Sequence, residues 1–223
     1  MSKTIYVWDR FVRIFHWSLV LLFIASYLSG EEEHWIHVYS GYGIICLLAM
    51  RITWGFIGTK YARFADFVSA PGKVVDYLRA LVSGKKPERY IGHNPAGGMM
   101  VLAMLITLFF IGFSGLKLYA IEEGKGPFAG TGNVNIVQQA YADSDDNHEE
   151  RGRDHDDGYE SDEEHEGDER EDEEEDFWED VHEASVNFMI LLIILHIGGV
   201  FLSSRAHGES LVRAMITGRK ESA

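Results

Sequence analysis

The sequence predicts an all-α membrane protein whose core is a bundle of four transmembrane helices. The chain has 223 residues and contains four apolar segments, each near the roughly 20 residues that a helix needs to cross a bilayer. A soluble protein of this size has too little interior to bury four such helices. Lys and Arg are also distributed unevenly between the connections, as they are in membrane proteins. We therefore treat residues 1–223 as a single membrane domain.

The four predicted spans cover residues 12–30, 37–57, 97–119 and 182–203. We expect the first span to be retained rather than cleaved as a signal peptide, because His16 and Trp17 interrupt its apolar run. Basic residues are concentrated in the N-terminal tail, in the connection between the second and third spans, and in the C-terminal tail. Both termini are therefore expected to be cytoplasmic, and the two acidic connections are expected to lie outside.

The connection between the second and third spans contains a further predicted helix from Pro71 to Val82. Proline suits the first turn of a helix, and Gly84 suits its termination. The helix has one apolar face, formed by Val74, Val75, Leu78 and Leu81. Such an amphipathic helix lies either on the cytoplasmic membrane surface or against the end of the bundle. The segment from Glu209 to Thr217 is expected to be similar.

Two histidines of the last span, His182 and His196, are fourteen residues apart. This separation corresponds to nearly four helical turns, with a rise of about 21 Å and an angular offset of about 40°. Both imidazoles are therefore expected on one face of one helix, near opposite sides of the membrane. Ionisable residues within spans are functional candidates, and neutral imidazole is a common axial ligand of haem iron. The spacing therefore suggests two haem groups, one near each side of the membrane.

The predicted topology gives each of these histidines a partner at its own depth. His16 pairs with His196 around a cytoplasmic-side haem iron, and His37 pairs with His182 around a periplasmic-side haem iron. Each pair offers imidazoles from two helices, as a six-coordinate haem requires. The sequence has one cysteine and no Cys-x-x-Cys-His motif, so both haem b groups are expected to be bound non-covalently. The alternative is four unrelated histidines at helix ends, and His34 is the rival to His37.

Other residues near these histidines have two explanations each. Four glycines allow either the close approach of a haem or direct helix contact; they are Gly41, Gly43, Gly198 and Gly199. Four arginines serve either as partners of haem propionates or as positive-inside anchors; they are Arg10, Arg13, Arg51 and Arg205. His93 lacks a partner at its depth, so we expect it at a capping or surface position. Asn94 before Pro95 predicts the start of a helix.

Four strings of the sequence resemble the bacterial cytochrome b561 family, the group that includes the b-type membrane subunit of nickel–iron hydrogenases. They are VWDRFVRIFHWSLV at 7–20, HVYSGYGIICLLAMRITWGFIG at 37–58, GHNPAGGMMVLAM at 92–104 and VHEASVNFMILLIILHIGGVFLSSRAHGESLVRAMITGRK at 181–220. The resemblance implies a four-helix bundle in the bacterial inner membrane that holds two haem b groups. It also implies the same four ligands, namely His16, His37, His182 and His196.

The resemblance does not cover residues 143–180, in which Asp and Glu dominate. This acidic insertion lacks the apolar residues that would offset the entropy of ordering, so most of it is expected to be disordered. It acts as a solvated spacer, as a docking surface for a basic periplasmic electron carrier, or as a loose site for divalent cations. The segment FWEDVH at 177–182 is less polar and is expected to start the fourth span.

We expect the chain to transfer electrons across the membrane between the quinone/quinol pool and a periplasmic partner, either a c-type cytochrome or a hydrogenase. It would be an electron-transfer protein or a subunit of an oxidoreductase complex, in contact with membrane lipid and without a nucleic-acid partner. One alternative is an oxidoreductase that acts on superoxide or a ferric chelate at the haem edge. The other is a histidine-dependent cation transporter. The sequence assigns no quinone site.

Overall fold

A computed structural model describes residues 4–30, 34–83, 90–130 and 160–221. In chain order, the elements are β1 (Thr4–Tyr6), α1 (Arg10–Leu28), α2 (His34–Ile57), a 3-10 turn (Lys60–Ala62), α3 (Phe64–Phe67), α4 (Pro71–Val82), α5 (Pro95–Glu123), α6 (Glu160–His207), α7 (Leu211–Thr217) and β2 (Arg219–Glu221). The chain divides into two compact units. Unit 1 comprises Met1–Gly112 and Ala184–Ala223, and unit 2 comprises Phe113–Glu183.

Unit 1 is a bundle of four helices with an apolar core. The core combines side chains from α1, α2, α5 and α6, namely Phe15, Ile44, Leu48, Leu105, Leu108 and Met189. Many apolar side chains on the outside of the bundle are exposed, such as Leu21 (68%) and Phe56 (70%). Water would solvate this surface unfavourably, whereas lipid tails are as apolar as leucine. The exposed apolar surface therefore supports insertion of the bundle into a membrane.

Four of the described helices are long and apolar enough to cross a membrane: Arg10–Leu28, Trp35–Ile57, Pro95–Glu123 and Asp172–His207. The prediction of four spans is confirmed. The third and fourth helices are longer than predicted, since they extend beyond residues 97–119 and 182–203. The first ends at Leu28, where the Ser29 backbone N–H donates to the Ala25 carbonyl at 3.1 Å.

The two chain ends meet in a small antiparallel sheet that the sequence analysis does not predict. β1 pairs with β2, with Thr4 opposite Glu221. The backbone N–H groups of Val7 and Trp8 both donate to the carbonyl of Gly218, at 2.9 and 3.2 Å. Strands of three residues are too short to carry a detectable alternation of apolar and polar residues. We call the end of unit 1 that carries β1 and β2 the sheet end.

Both short helices that were predicted outside the spans are present. α4 has the predicted bounds, Pro71–Val82. Tyr77 is the buried side chain of this helix, while Val75 and Leu78 are each 44% exposed. Part of the predicted apolar face is therefore open to its surroundings, as expected for a helix on a membrane surface. α7 ends before Gly218, whose φ of 79° is the left-handed conformation that glycine adopts at helix ends.

The acidic insertion is helical where the structure describes it. α6 begins at Glu160, so residues 160–180 continue the fourth span as one helix. The prediction that most of the insertion is disordered is therefore wrong for these residues, while residues 143–159 lie outside the described part. Glutamate has a high helix propensity, and extending a formed helix costs less than nucleating a new one. A lack of apolar residues would leave an isolated acidic segment disordered. It does not prevent helix formation in a segment that continues a membrane span.

Unit 2 contains the end of α5 and the first part of α6. Phe113 contacts Phe128 and Trp178 edge-on, with ring centroids 5.4 and 5.5 Å apart. Lys117 lies over the rings of Phe128 and Trp178, at 5.7 and 5.6 Å. It also forms an ion pair with Glu174 at 3.5 Å. These contacts join the acidic start of α6 to the end of α5, and the segment 177–182 lies within α6 as expected.

Candidate functional site

The structure brings His16 and His196 together within unit 1. His16 lies on α1 and His196 on α6, and their ring centroids are 6.5 Å apart with an interplanar angle of 45°. Two imidazoles bound to opposite sides of one metal ion at about 2.0 Å, each with a ring radius of about 1.1 Å, have centroids roughly 6.2 Å apart. The observed separation therefore fits a metal ion held between the two rings.

Several buried polar atoms near this pair lack hydrogen-bond partners within the described part of the chain. They include His16 Nδ1, Arg13 Nε, Arg51 Nη1 and His93 Nδ1. A buried donor without an acceptor costs about 1–3 kcal/mol, so such groups usually have a partner that completes them. The two arginines suit the carboxylates of haem propionates. The donor set therefore fits a haem that reaches the sheet end of unit 1.

Arg51 is held by aromatic rings rather than by water. Only 3% of the residue is exposed, and its guanidinium lies 5.4 Å from the ring centre of Phe64 and 5.8 Å from that of Phe67. Stacking on aromatic faces stabilises a guanidinium in a partly dry environment. Arg51 is therefore a fixed positive charge inside the bundle. Of the two roles expected from the sequence, propionate partner and positive-inside anchor, this position favours the first.

Asp9 connects the start of α1 to α2 and the turn after it. Its carboxylate accepts hydrogen bonds from the Val12 N–H at 2.8 Å, from Trp54 Nε1 at 3.0 Å and from the Thr59 hydroxyl at 2.6 Å. Burial alone would raise the pKa of Asp9, but these three hydrogen bonds and the charge of Arg51 lower it below its usual value. Asp9 is therefore ionised at neutral pH and fixes the helix that carries His16.

His93 is half-buried between aromatic rings and does not take the predicted capping role. Its ring contacts Trp8 and Phe67, with centroids 4.5 and 4.8 Å apart. Burial and then the charge of Arg51 lower the pKa of His93 to about 3, so its imidazole is neutral at physiological pH. The helix start that was predicted at Asn94 is confirmed, since its side-chain oxygen accepts the Gly97 N–H at 2.7 Å. Asn94 rather than His93 therefore caps α5.

His37 is oriented by the end of α1. Its Nδ1 lies 2.9 Å from the Ser26 carbonyl oxygen and 3.4 Å from the Ser26 hydroxyl. Because a carbonyl only accepts, His37 Nδ1 carries the proton and donates it, which leaves Nε2 as the metal-binding nitrogen. The rival His34 is the first residue of α2, but its side chain lies outside the described part.

His182 is oriented in the same way within unit 2. Its Nδ1 lies 3.0 Å from the hydroxyl of Ser114, a residue with no exposed surface. A Cβ atom at Gly115 would meet His182 Cε1 at 3.1 Å, so glycine makes room for the imidazole. His37 belongs to unit 1, whereas His182 belongs to unit 2. Their pairing around one iron stays a prediction.

The glycines and the remaining histidine differ in what surrounds them. A Cβ at Gly43 would meet Leu22 Cδ1 at 2.9 Å, so this glycine allows α1 and α2 to pack closely. At the other three glycines a Cβ atom would have no heavy atom of the described chain within 4 Å, so close helix contact does not explain them. These glycines are Gly41, Gly198 and Gly199. His207 is the last residue of α6 and lies eleven residues beyond His196.

Sequence reasoning missed Ser26, Ser114 and Gly115, which hold or accommodate two of the histidines. Hydroxyls in apolar helices usually bond to their own backbone. The Thr107 hydroxyl donates in this way to the Ala103 carbonyl at 3.0 Å. A serine that serves a histidine therefore has no distinguishing signal until the helices are packed.

Comparison with known proteins identifies the family of the chain. The chain is similar to proteins described as "Probable Ni/Fe-hydrogenase B-type cytochrome subunit" from Azotobacter chroococcum mcd 1 (27% identity, 57% of this chain, 65% of the relative) and Rhizobium leguminosarum bv. viciae (28%, 56% and 62%). It is also similar to "Probable Ni/Fe-hydrogenase 1 B-type cytochrome subunit" from Escherichia coli strain K12 (28%, 56% and 64%). The matched region thus spans less than two thirds of each relative. No solved structure matches the chain significantly. Residues 7–218 match the family described as "Prokaryotic cytochrome b561", and the chain belongs to this family.

Proposed function

We propose that the protein is a dihaem b-type cytochrome that transfers electrons between the quinone pool and a redox partner outside the cytoplasm. Haem b is the cofactor of a b-type cytochrome, and it supplies a one-electron redox centre when bound. The observation that carries the proposal is the 6.5 Å separation of the His16 and His196 rings, between which one iron could be held. Membrane insertion and membership of the cytochrome b561 family are consistent with this role.

In the first proposed site, His16 and His196 would hold the iron of the cytoplasmic-side haem. Arg13 and Arg51 would neutralise its propionates, since each has a buried nitrogen without a partner in the described part of the chain. The aromatic contacts of Arg51 keep this charge in place without water. Residues of unit 1 would thus bind the group, fix its orientation and set the dielectric around it.

In the second proposed site, His37 and His182 would hold the iron of the periplasmic-side haem. The support is that each Nδ1 already has a partner, Ser26 for His37 and Ser114 for His182. Such partners orient the ring of a ligating histidine. The Ser26 carbonyl makes Nδ1 of His37 the donor, and the Ser114 hydroxyl would accept from His182 Nδ1 when Nε2 of that ring binds iron.

We propose that the protein lies in the bacterial inner membrane with both termini in the cytoplasm. The support is the charge of the connections, because positively charged loops remain on the cytoplasmic side. The tails and the connection that contains α4 are rich in Lys and Arg. The segment between α5 and α6 is acidic, and this topology puts it in the periplasm.

Two kinds of periplasmic partner are each supported by a different observation. The names of the relatives point to a nickel–iron hydrogenase. The acidic start of α6 points to a basic c-type cytochrome, because opposite charges speed the encounter of redox partners. Exposed carboxylates on this segment would attract such a partner, including those of Glu173, Asp176, Glu179 and Asp180.

Optical spectra test the proposal and its alternatives. Reduced-minus-oxidised spectra of the purified protein should show b-type bands with two haem groups per chain. Their absence would favour the cation transporter instead. Quinol should then reduce the bound haem, and added c-type cytochrome or hydrogenase should accept or supply electrons. Reduction of superoxide or ferric chelates without any need for quinol would favour the haem-edge oxidoreductase.

Histidine substitutions test the ligand pairs. His16→Ala and His196→Ala should each lose the same haem, while His37→Ala and His182→Ala should each lose the other, which pyridine haemochrome titration and redox titration distinguish. His34→Ala is the matched control and should retain both haem groups. If loss of His37 and loss of His196 removed the same haem, the proposed topology would be wrong.

A further inference from the structure

A cavity of about 750 Å³ lies at the sheet end of unit 1. One wall is the start of α1, and the opposite wall is α7 with the residues on either side of it. The pairing of β1 with β2 holds these walls together. The Arg13 guanidinium also donates to the Ile216 carbonyl at 2.6 Å. Both chain ends therefore build the cavity, so it does not depend on a single exposed loop.

Positive charge dominates the walls of this cavity. Its cationic residues are Arg10, Arg13, Arg213, Arg219 and Lys220. Among the described residues, the carboxylate that lines it is that of Glu209, and Lys220 pairs with this carboxylate at 3.1 Å. Within the described part of the chain, no ion pair engages any of the four arginines. Among the described residues, the guanidinium groups of Arg10, Arg213 and Arg219 therefore line the cavity without a carboxylate paired to them.

Guanidinium groups in this arrangement bind an oxyanion such as phosphate. Each presents a planar fork of N–H donors that binds two phosphate oxygens at once, and several such groups together favour an anion over any neutral ligand. The chemistry of the cavity thus points to a phosphate group.

The surroundings of the cavity favour a lipid headgroup over a soluble phosphate as its ligand. Arg10 and Arg13 lie in the first turn of a membrane-spanning helix, which is the level of lipid headgroups. Apolar side chains beside the arginines are exposed, including Ile14 (66%), Val212 (54%) and Ile216 (60%). Acyl chains would cover these side chains, whereas a soluble phosphate would not. We propose that this cavity binds the phosphate of an anionic phospholipid.

The test measures lipid selectivity of the full-length haem-loaded protein. The protein is placed in nanodiscs that contain phosphatidylglycerol and phosphatidylcholine in equal amounts, and the retained lipids are identified by native mass spectrometry. Phosphatidylglycerol should be retained over phosphatidylcholine. The double substitution Arg213→Gln with Arg219→Gln should weaken this retention roughly tenfold to thirtyfold. Both side chains are exposed, so the haem spectrum should be unchanged.

The matched control removes two exposed positive charges outside the cavity, through Lys73→Gln with Arg79→Gln on α4. It should keep the selectivity of the unaltered protein. An equal loss in both double variants would show that general surface charge attracts the lipid, and would overturn the proposal. Complete displacement of the lipid by excess inorganic phosphate would assign the cavity to a soluble anion and would overturn it as well.

Discussion

At the scale of single residues, the four candidate ligands differ in how their second ring nitrogen is treated. Nδ1 of His37 and of His182 contacts a serine on a neighbouring helix. Nδ1 of His16 is buried without a partner in the described part of the chain. Membrane depth selects these four histidines as candidates from the sequence, and their role as ligands stays a prediction. The serine partners were not predictable, because most hydroxyls in the spans donate to the preceding turn of their own helix.

Removing the Ser114 hydroxyl should weaken the second haem site selectively. Ser114→Ala deletes the group that contacts His182 Nδ1, and loss of such a partner typically lowers affinity about tenfold to hundredfold. We expect the haem of the His37 and His182 pair to be lost first when the variant is titrated with a haem acceptor. Its midpoint potential should also shift, while the other haem keeps the potential that it has in the unaltered protein.

Two further variants separate this positioning role from a structural one. Ser114→Thr keeps a hydroxyl and should restore haem retention. Thr107→Val removes a buried hydroxyl that bonds to the Ala103 carbonyl of its own helix, so it should leave both potentials unchanged. Equal haem retention in Ser114→Ala and Thr107→Val would contradict the assignment of Ser114 to His182.

At the scale of helices and strands, the apolar segments determined what could be predicted. The four spans and α4 follow from the length of the apolar runs and from helix periodicity, which are local properties. The β1–β2 sheet depends on contact between segments far apart in the sequence, so no local pattern predicts it. The helical start of α6 depends on propagation from a span. Asp9 shows the same limit, because its hydrogen bonds with Trp54 and Thr59 join residues about fifty positions away.

Asp9 should make the stability of the bundle depend on pH. Its pKa is lowered in the folded protein, so its contribution is complete above the unfolded value of about 3.9 and is lost as the pH falls through the folded pKa. Asp9→Ala should therefore destabilise the protein at pH 7 by about 1–3 kcal/mol, through loss of the cap and two side-chain hydrogen bonds. The difference from the unaltered protein should shrink at low pH. Thermal unfolding in detergent measures both effects.

The exposed Asp76 on α4 provides the control for this experiment. No hydrogen bond to its side chain is present in the described structure, so Asp76→Ala should leave the unfolding temperature nearly unchanged at both pH values. Asp9→Asn should be intermediate at pH 7, because an amide oxygen can still cap α1. A difference between Asp9→Ala and the unaltered protein that stayed constant down to low pH would exclude the charge of Asp9 as the cause.

At the scale of the whole molecule, charge is separated by sign between segments that the fold treats differently. Basic residues gather at the sheet end of unit 1, and acidic residues gather on the first part of α6 in unit 2. The net charge of −15 therefore describes neither surface. Positive charge next to a span suits lipid headgroups, and negative charge on an exposed helix suits a cationic protein. Under the proposed topology, one surface contacts the membrane and the other contacts the redox partner.

Neutralising the acidic start of α6 should slow electron exchange with a basic c-type cytochrome. The change replaces Glu173 and Glu179 by Gln and Asp176 and Asp180 by Asn. We expect both haem groups to remain and the bimolecular rate at low salt to fall by about tenfold, since steering by opposite charge accelerates association. At high salt the rates of the variant and the unaltered protein should converge, because salt screens exposed charges. Stopped-flow absorbance resolves these rates.

The control neutralises Asp66 and Asp76, which are exposed carboxylates outside α6, and it should keep the rate of the unaltered protein. Rates that do not depend on ionic strength in any variant would refute docking through the acidic helix. Normal exchange with a hydrogenase alongside slowed exchange with a c-type cytochrome would show that the acidic helix serves the basic carrier. The acidic start of α6 would then determine with which partner the protein exchanges electrons.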